Sequence, residues 1–86
     1  GYREFRIAPN LGGLKWMEGS VPTPNGDISV YMDTSHIKVK AGEGKGYLYF
    51  TSRKTPKSNI GKVEKLGGNQ YRLRIDTKDE VRVSYR

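Results

Sequence analysis

The sequence contains no cysteine and only one histidine, His36, in 86 residues. A disulfide framework and a cysteine-ligated zinc site are therefore excluded, and a single histidine is a poor basis for a zinc site or a Ser-His-Asp triad. We predict no bound metal and no cofactor. No stretch approaches the ~20 consecutive apolar residues of a membrane-spanning helix, and we predict no membrane partner.

The chain also lacks helical periodicity, because eleven glycines and four prolines interrupt every segment before three helical turns form. Apolar residues instead alternate with polar ones at a period of two, which indicates half-buried strands. We predict an all-β protein, a small antiparallel, jelly-roll-like β-sandwich of about seven to eight short strands. The alternating apolar residues are Phe5, Ile7, Leu14, Trp16, Ile28, Val30, Met32, Ile37, Val39, Tyr71, Leu73, Ile75, Val81, Val83 and Tyr85.

The length is that of one small domain, and we predict that residues 1–86 form a single unit. The first residue is Gly1 rather than Met, and the opening residues show no signal-peptide pattern. We therefore expect a domain excised from a longer protein.

The connections are predicted from turn-forming residues. Residues 47–50 are apolar on both faces, which is typical of a central strand. Residues 42–46 lack the spacing of a phosphate-binding loop and precede a strand, so we interpret them as a hairpin loop that needs positive φ. Residues 76–79 are predicted to form another hairpin turn, residues 67–69 a turn, and the polar residues 53–59 a long loop.

The formal net charge of +7 is concentrated in the last third of the chain. Residues 1–52 carry six Lys/Arg and five Asp/Glu, whereas residues 53–86 carry ten and four. We predict that a basic face there meets either solvent or an acidic partner, and we rank nucleic acid below both. The candidate residues, which alternate with the apolar residues of the last two strands, are Arg72, Arg74, Arg82 and Arg86.

The nine acidic residues offer no evident catalytic pair. Glycoside hydrolysis needs two carboxyl groups that flank one bond, but most acids here flank apolar strand positions or lie in turns. Asp79 and Glu80 are adjacent at a strand entry, where successive side chains point to opposite faces. We predict no catalytic residue in this chain.

Aromatic side chains are the candidate contacts to a sugar or to a protein partner, because exposed rings stack on sugars and anchor interfaces. Tyr31 lies opposite the apolar residues of its strand, so we predict that it is exposed or covered by a partner. Trp16 alternates with Leu14, which favours a position in the core over a sugar platform. The full candidate set is Tyr31, Trp16, Tyr47 and Tyr49.

Three segments carry a resemblance to a known family: residues 2–9, residues 13–20 and residues 23–30. A strand that ends in proline leads to a Leu-x-Trp strand, then to Gly-Ser and Thr-Pro-x-Gly turns and an Ile-x-Val strand. In this order the chain resembles the C-terminal domain of bacterial α-L-rhamnosidases, glycoside hydrolase family 78. The motif residues are Pro9, Leu14, Trp16, Gly19, Pro22, Pro24, Gly26, Ile28 and Val30.

The prolines of this motif have a physical interpretation. Pro22 and Pro24 stiffen an extended connection that cannot pair as a central strand. Asn25 and Gly26 supply the positive-φ residues of a tight turn. We predict that Trp16 fills the space under this connection, so that the segment forms a corner of the sandwich.

The resemblance implies a non-catalytic accessory domain. In such enzymes the catalytic acids lie in a preceding (α/α)₆ barrel, on which this domain would dock and which it would stabilise. The partner is then the catalytic domain of the same parent chain, and the parent is expected to be a periplasmic or extracellular bacterial hydrolase.

Two alternatives remain open. The first is a carbohydrate-binding module that holds a plant or bacterial glycan on its exposed aromatic residues. The second, less favoured, is a basic nucleic-acid-binding β-barrel, whose affinity would fall steeply with salt.

Overall fold

The structure is a computed structural model that describes residues 4–23, 26–42 and 44–85. It is all-β, as predicted, and the described residues form nine strands rather than seven or eight. They contain no helix that is long and apolar enough to cross a membrane. The strands are β1 (Phe5–Ile7), β2 (Trp16–Thr23), β3 (Gly26–Asp33), β4 (His36–Lys40), β5 (Gly46–Thr51), β6 (Lys57–Ser58), β7 (Glu64–Gly67), β8 (Gln70–Ile75) and β9 (Val81–Ser84).

The strands form two sheets that enclose one hydrophobic core. The four-stranded sheet has the order β1-β5-β8-β7, and the five-stranded sheet has the order β2-β3-β4-β9-β6. All pairings are antiparallel except that of β1 with β5, which is parallel. The buried apolar residues are Ile7, Ile28, Val30, Met32, Ile37, Val39, Ala41, Leu48, Phe50, Tyr71, Leu73, Ile75, Val81 and Val83.

The predicted alternation is therefore confirmed for β3, β4, β8 and β9, where every second residue is buried. Strand β5 is central in its sheet, as predicted for residues 47–50. Only its inward residues Leu48 and Phe50 are buried, while Tyr47 and Tyr49 are half-exposed. One face of this strand thus remains open to solvent.

Two predicted hairpins are wrong. The hairpins predicted at residues 42–46 and 76–79 fall between β4 and β5 and between β8 and β9, but each pair of strands belongs to different sheets. Both connections cross from one layer of the sandwich to the other. Alternation and turn residues look the same for a hairpin and for such a crossover, because both join two strands that bury one face. Gly42 does adopt positive φ, at +59°.

The other predicted turns are closer to the structure. Strands β7 and β8 form a hairpin through residues 67–69, where Gly67 and Gly68 have φ of +140° and +55°. The predicted loop 53–59 contains the two-residue strand β6, which pairs with the edge of β9. The side chain of Asn59 extends this edge, because its Oδ1 accepts a hydrogen bond from the Arg82 N–H at 2.8 Å.

A buried serine ties the end of β5 to the C-terminal segment. Ser52 is 3% exposed, and its Oγ lies 2.9 Å from the carbonyl oxygen of Tyr85 and 2.5 Å from that of Lys54. Tyr85 in turn donates its hydroxyl hydrogen to the carbonyl oxygen of Asp33. The Ser52–Tyr85 bond joins the two sheets at one end of the sandwich, and the Tyr85–Asp33 bond ties the C-terminal segment to the end of β3.

Candidate functional site

The outer faces of the two sheets carry the candidate functional residues. Cross-strand partners share a face, so the register assigns each side chain to one side of the sandwich. We call the outer face of the four-stranded sheet the tyrosine–arginine face, formed by Arg6, Tyr47, Tyr49, Arg72 and Arg74. We call the outer face of the five-stranded sheet the lysine face, formed by Trp16, Glu18, Tyr31, Lys38, Lys40 and Arg82.

On the tyrosine–arginine face, guanidinium groups lie over aromatic rings. The Cζ of Arg72 is 4.6 Å from the ring centroid of Tyr47, and that of Arg74 is 5.1 Å from it. Arg6 lies 6.0 Å from the ring centroid of Tyr49. These are cation–π distances, and they place positive groups where a sugar would have to stack.

Two of the three arginines of this face, Arg72 and Arg74, are also paired with acids of the domain. Arg72 donates two hydrogen bonds to Glu64, at 2.5 and 3.0 Å, and Arg74 donates one to Glu4 at 2.6 Å. The hydrogen bond from Arg72 holds the pKa of the Glu64 carboxyl below its usual range, and the same bond raises the pKa of Arg72. The charges of Arg72 and Arg74 are therefore satisfied by these acids, whereas Arg6 forms no ion pair among the described residues.

On the lysine face, one row of side chains crosses four strands. Glu18 pairs with Tyr31, Tyr31 with Lys38, and Lys38 with Arg82. The Nζ of Lys38 lies 5.3 Å from the ring centroid of Tyr31. This row combines an aromatic ring and two cations on an exposed surface.

Tyr31 is half-buried, and Asp33 fixes its orientation. The Tyr31 hydroxyl donates a hydrogen bond of 3.0 Å to Asp33 Oδ2, and this bond raises the pKa of Tyr31. Asp33 Oδ1 accepts hydrogen bonds from the backbone N–H groups of Ser35 at 2.8 Å and His36 at 2.6 Å. These bonds lower the pKa of the Asp33 carboxyl, with the Ser35 N–H as the largest cause. Asp33 thus shapes the β3–β4 turn and holds the tyrosine.

A shallow groove of about 700 Å³ runs along the lysine face. Ser20 and Ser29 are cross-strand partners with short side chains, and they leave a depression between longer neighbours. Tyr31 and Lys40 lie on its border. The groove can accept a projecting side chain or a sugar ring.

The cations of the lysine face form no ion pair with a described acid, although Glu18 and Glu80 line the same groove as Lys38 and Lys40. Among the residues that the structure describes, Lys38, Lys40 and Arg82 form no ion pair, and neither does Lys57 on the adjoining strand β6. Their charge is left for solvent or for a ligand, in contrast to the paired arginines of the opposite face.

The predicted position of Trp16 in the core is wrong. Trp16 is 60% exposed and lies on the lysine face, while its neighbour Met17 packs against the core. Strand β2 begins at Trp16, so Leu14 lies before the strand and is not part of its alternation. Leu14 is itself 63% exposed. A shift of one residue reverses every side chain of a strand. Trp16 also lies at the opposite end of β2 from Pro22, so it does not fill the space under the proline connection.

The remaining motif residues have structural positions. Ile28 and Val30 are buried in β3, Pro9 is half-buried after β1, and Gly19 lies within β2. Pro22 lies on β2 and pairs with Asp27 of β3. Strand β2 is an edge strand of its sheet, where proline is tolerated. Gly26 has a φ of +110°. The predictions for Pro24 and Asn25 lie outside the described residues.

The four predicted basic residues do not form one face. Arg72 and Arg74 lie on the tyrosine–arginine face, whereas Arg82 lies on the lysine face, across the core from them. The reason is the crossover between β8 and β9, which the sequence presents as a hairpin. Arg86 lies outside the described residues.

Sequence reasoning did not single out Lys38 and Lys40 as site residues. Their signal was present, because both alternate with Ile37 and Val39 and must therefore point to solvent. What was missing is that neither lysine forms an ion pair with a described acid. As for metal sites, the described part of the chain contains no group of three or more His, Cys, Asp or Glu residues that could hold an ion.

Comparison with known families supports the resemblance seen in the sequence. The family model of the bacterial alpha-L-rhamnosidase C-terminal domain matches residues 1–42, just under half of the chain, a span that includes β1 to β4. No match is found among curated proteins. The matched span contains Trp16, Tyr31, Lys38 and Lys40 of the lysine face.

Proposed function

We propose that this chain is a non-catalytic accessory domain of an α-L-rhamnosidase-like glycoside hydrolase, and that it docks on the catalytic (α/α)₆ barrel and stabilises it. The observation that carries the proposal is the match of residues 1–42 to the rhamnosidase C-terminal domain. The parent is then a bacterial enzyme of the periplasm or the cell exterior.

The carboxyl groups of the domain support a role without catalysis. A general acid in glycoside hydrolysis needs a raised pKa, but among the described residues the pKa values of the Asp33 and Glu64 carboxyl groups are lowered. Glu4 is held by Arg74 in the same way that Glu64 is held by Arg72. These acids organise turns and strands.

The test compares the parent protein with and without residues 1–86. We expect the 86-residue chain to hydrolyse no 4-nitrophenyl α-L-rhamnopyranoside, and we expect its deletion to lower the midpoint of thermal unfolding of the catalytic region. Turnover by the purified 86 residues would overturn the non-catalytic role. An unchanged unfolding midpoint after deletion would overturn the stabilising role.

A second candidate function, glycan binding, is favoured by the exposure of Trp16. Trp16 and Tyr31 lie on neighbouring strands of the same face, and Tyr31 lines the groove. Aromatic rings in this arrangement can stack on sugar rings. A glycan-binding screen with the wild-type chain and Trp16→Ala tests it, with Tyr47→Ala on the opposite face as the control. Glycan binding that Trp16→Ala abolishes and Tyr47→Ala leaves unchanged would favour this function over docking.

A further inference from the structure

We infer that the lysine face is the docking surface of this domain and that its partner is an acidic surface of the catalytic region, with Trp16 as an apolar anchor. The inference rests on the proposed function, since it assigns the face and the chemistry of the docking contact. It follows from where charge is left uncompensated on the folded domain.

The two outer faces differ in how their charges are satisfied. Arg72 and Arg74 are bonded to Glu64 and Glu4, so covering their face would require breaking or burying existing ion pairs. Lys38, Lys40 and Arg82 have no ion pair within the described chain. Complementary charge steers association and suppresses wrong partners. The free cations therefore select a partner that carries carboxylates.

The arrangement of the lysine face is that of an interface. Lys38 and Arg82 are cross-strand partners at its centre, and Tyr31 continues their row toward the edge strand. Trp16 stands at that edge, 60% exposed. Trp, Tyr and Arg are the residues most often found at the energetic centre of protein interfaces. The groove at Ser20 offers room for a side chain of the partner.

Other occupants fit the face less well. A second copy of the chain would bring the same cations together, which is unfavourable in a domain of net charge +7. Nucleic acid would bring phosphates against Glu18 and Glu80, which line the same groove as Lys38 and Lys40. An acidic protein surface can place single carboxylates at Lys38 and Lys40 and other side chains at the two glutamates, whereas a phosphate backbone carries negative charge along its whole length.

The test is a footprint of lysine reactivity toward an acetylating reagent, read by mass spectrometry. The 86-residue chain and the full parent protein are treated in parallel. We expect Lys38 and Lys40 to react about tenfold more slowly in the parent, which corresponds to a face that is covered in about nine molecules of ten. Lys54 and Lys62 are exposed and lie outside the strands, so they serve as internal controls and should react equally in both proteins.

A charge-reversal pair tests the same face by stability. In the parent, Lys38→Glu/Lys40→Glu/Arg82→Glu should weaken docking about 100-fold or more, because like charges across an interface cost several kcal/mol. The reversal should lower the unfolding midpoint of the catalytic region as deletion of the domain does.

The matched control is Arg53→Glu/Lys54→Glu/Lys62→Glu, which makes the same change of charge at exposed residues outside the strands. It should leave the midpoint within experimental error. Circular dichroism of both triple variants of the 86-residue chain would check that each still folds.

The outcomes separate the inference from the proposed function. Protection of no lysine, together with an unchanged midpoint on deletion of the domain, overturns both. Stabilisation by the domain, with Lys38 and Lys40 as reactive as in the isolated chain, retains the docking role and overturns the assignment of the face. Concentration-dependent protection in the isolated chain, or protection by duplex DNA at physiological salt, would instead identify a second copy or nucleic acid as the occupant.

Discussion

Gly46 is the residue whose replacement tests the packing of the domain most sharply. It opens β5 and pairs with Phe5 of the parallel strand β1. A Cβ atom added at Gly46 would lie 2.2 Å from the Phe5 carbonyl oxygen and 2.6 Å from its ring. Such a contact is far inside van der Waals distance, and the nearer atom belongs to the backbone, so no side-chain rotation relieves it.

The cost of Gly46→Ala follows from what must move. Strand β1 has to shift away from β5, and overpacking of this kind typically costs about 1–3 kcal/mol. If β1 detaches, the burial of Ile7, which is 6% exposed, is also lost, at about 1.5–3 kcal/mol for a side chain of this size. We therefore expect a loss of about 1–3 kcal/mol if β1 only shifts, and of up to about 6 kcal/mol if it also detaches. For a domain of this length each 1 kcal/mol lowers the unfolding midpoint by about 4–8 °C.

The assay is thermal and urea unfolding of the 86-residue chain followed by circular dichroism. Gly44→Ala is the matched control, because its Cβ would approach no atom closer than 3.4 Å, and we expect a change within about 1 kcal/mol. Phe5→Ala should not rescue Gly46→Ala, since the Phe5 carbonyl oxygen stays in place. Equal stability of the two glycine variants, or rescue by Phe5→Ala, would refute the reasoning.

Three further predictions concern single side chains. Ser52→Ala should destabilise the 86-residue chain by about 1–3 kcal/mol in urea unfolding, because it removes a buried hydroxyl that binds the carbonyl oxygens of Tyr85 and Lys54. Ser52→Thr keeps the hydroxyl and should lose less stability, and equal losses of stability would contradict this role. Asp33 has a lowered pKa in the folded chain, so its contribution to stability is present above the ordinary pKa of 3.8 and is lost as the pH falls through the lower folded pKa. Asp33→Ala should therefore make the free energy of unfolding fall less steeply in acid, and an unchanged dependence on pH would contradict this assignment. Trp16, the only tryptophan, should emit as a solvent-exposed indole and be quenched fully by acrylamide, whereas blue-shifted, protected emission would contradict its exposure.

Much of the fold could be predicted from the sequence because the period-two pattern is strong. The alternation of Ile28 and Val30, and that of Leu73 and Ile75, depends only on which side of a strand is buried, and the structure buries all four. The assignment of strands to sheets could not be predicted in this way. Residues 76–79 join two alternating strands whether those strands pair or face each other across the core, and only the packing of the complete chain decides.

The functional surfaces were harder to predict than the core. Alternation places Arg72, Arg82 and Lys38 on solvent faces, but it does not give which acid lies within reach of each. Glu4 meets Arg74 across 70 positions of the sequence, a contact created by the addition of β1 to the four-stranded sheet. Whether Trp16 or its neighbour Met17 points to the core depends on the register of β2, and a shift of one residue exchanges them. No local pattern in the sequence specifies that register.

The distribution of ion pairs gives the two faces different physical roles. On the tyrosine–arginine face, each acid that binds an arginine also links neighbouring or distant strands, so its charges contribute to the structure of the domain itself. On the lysine face, the cations contribute nothing comparable to the isolated fold, since none has an acidic partner among the described residues. Exposed single charges have small effects on stability, so Lys38, Lys40 and Arg82 add little to the isolated fold. The gain arises when an acidic surface covers them, which is the reason to assign docking to this face rather than to the one with more aromatic rings.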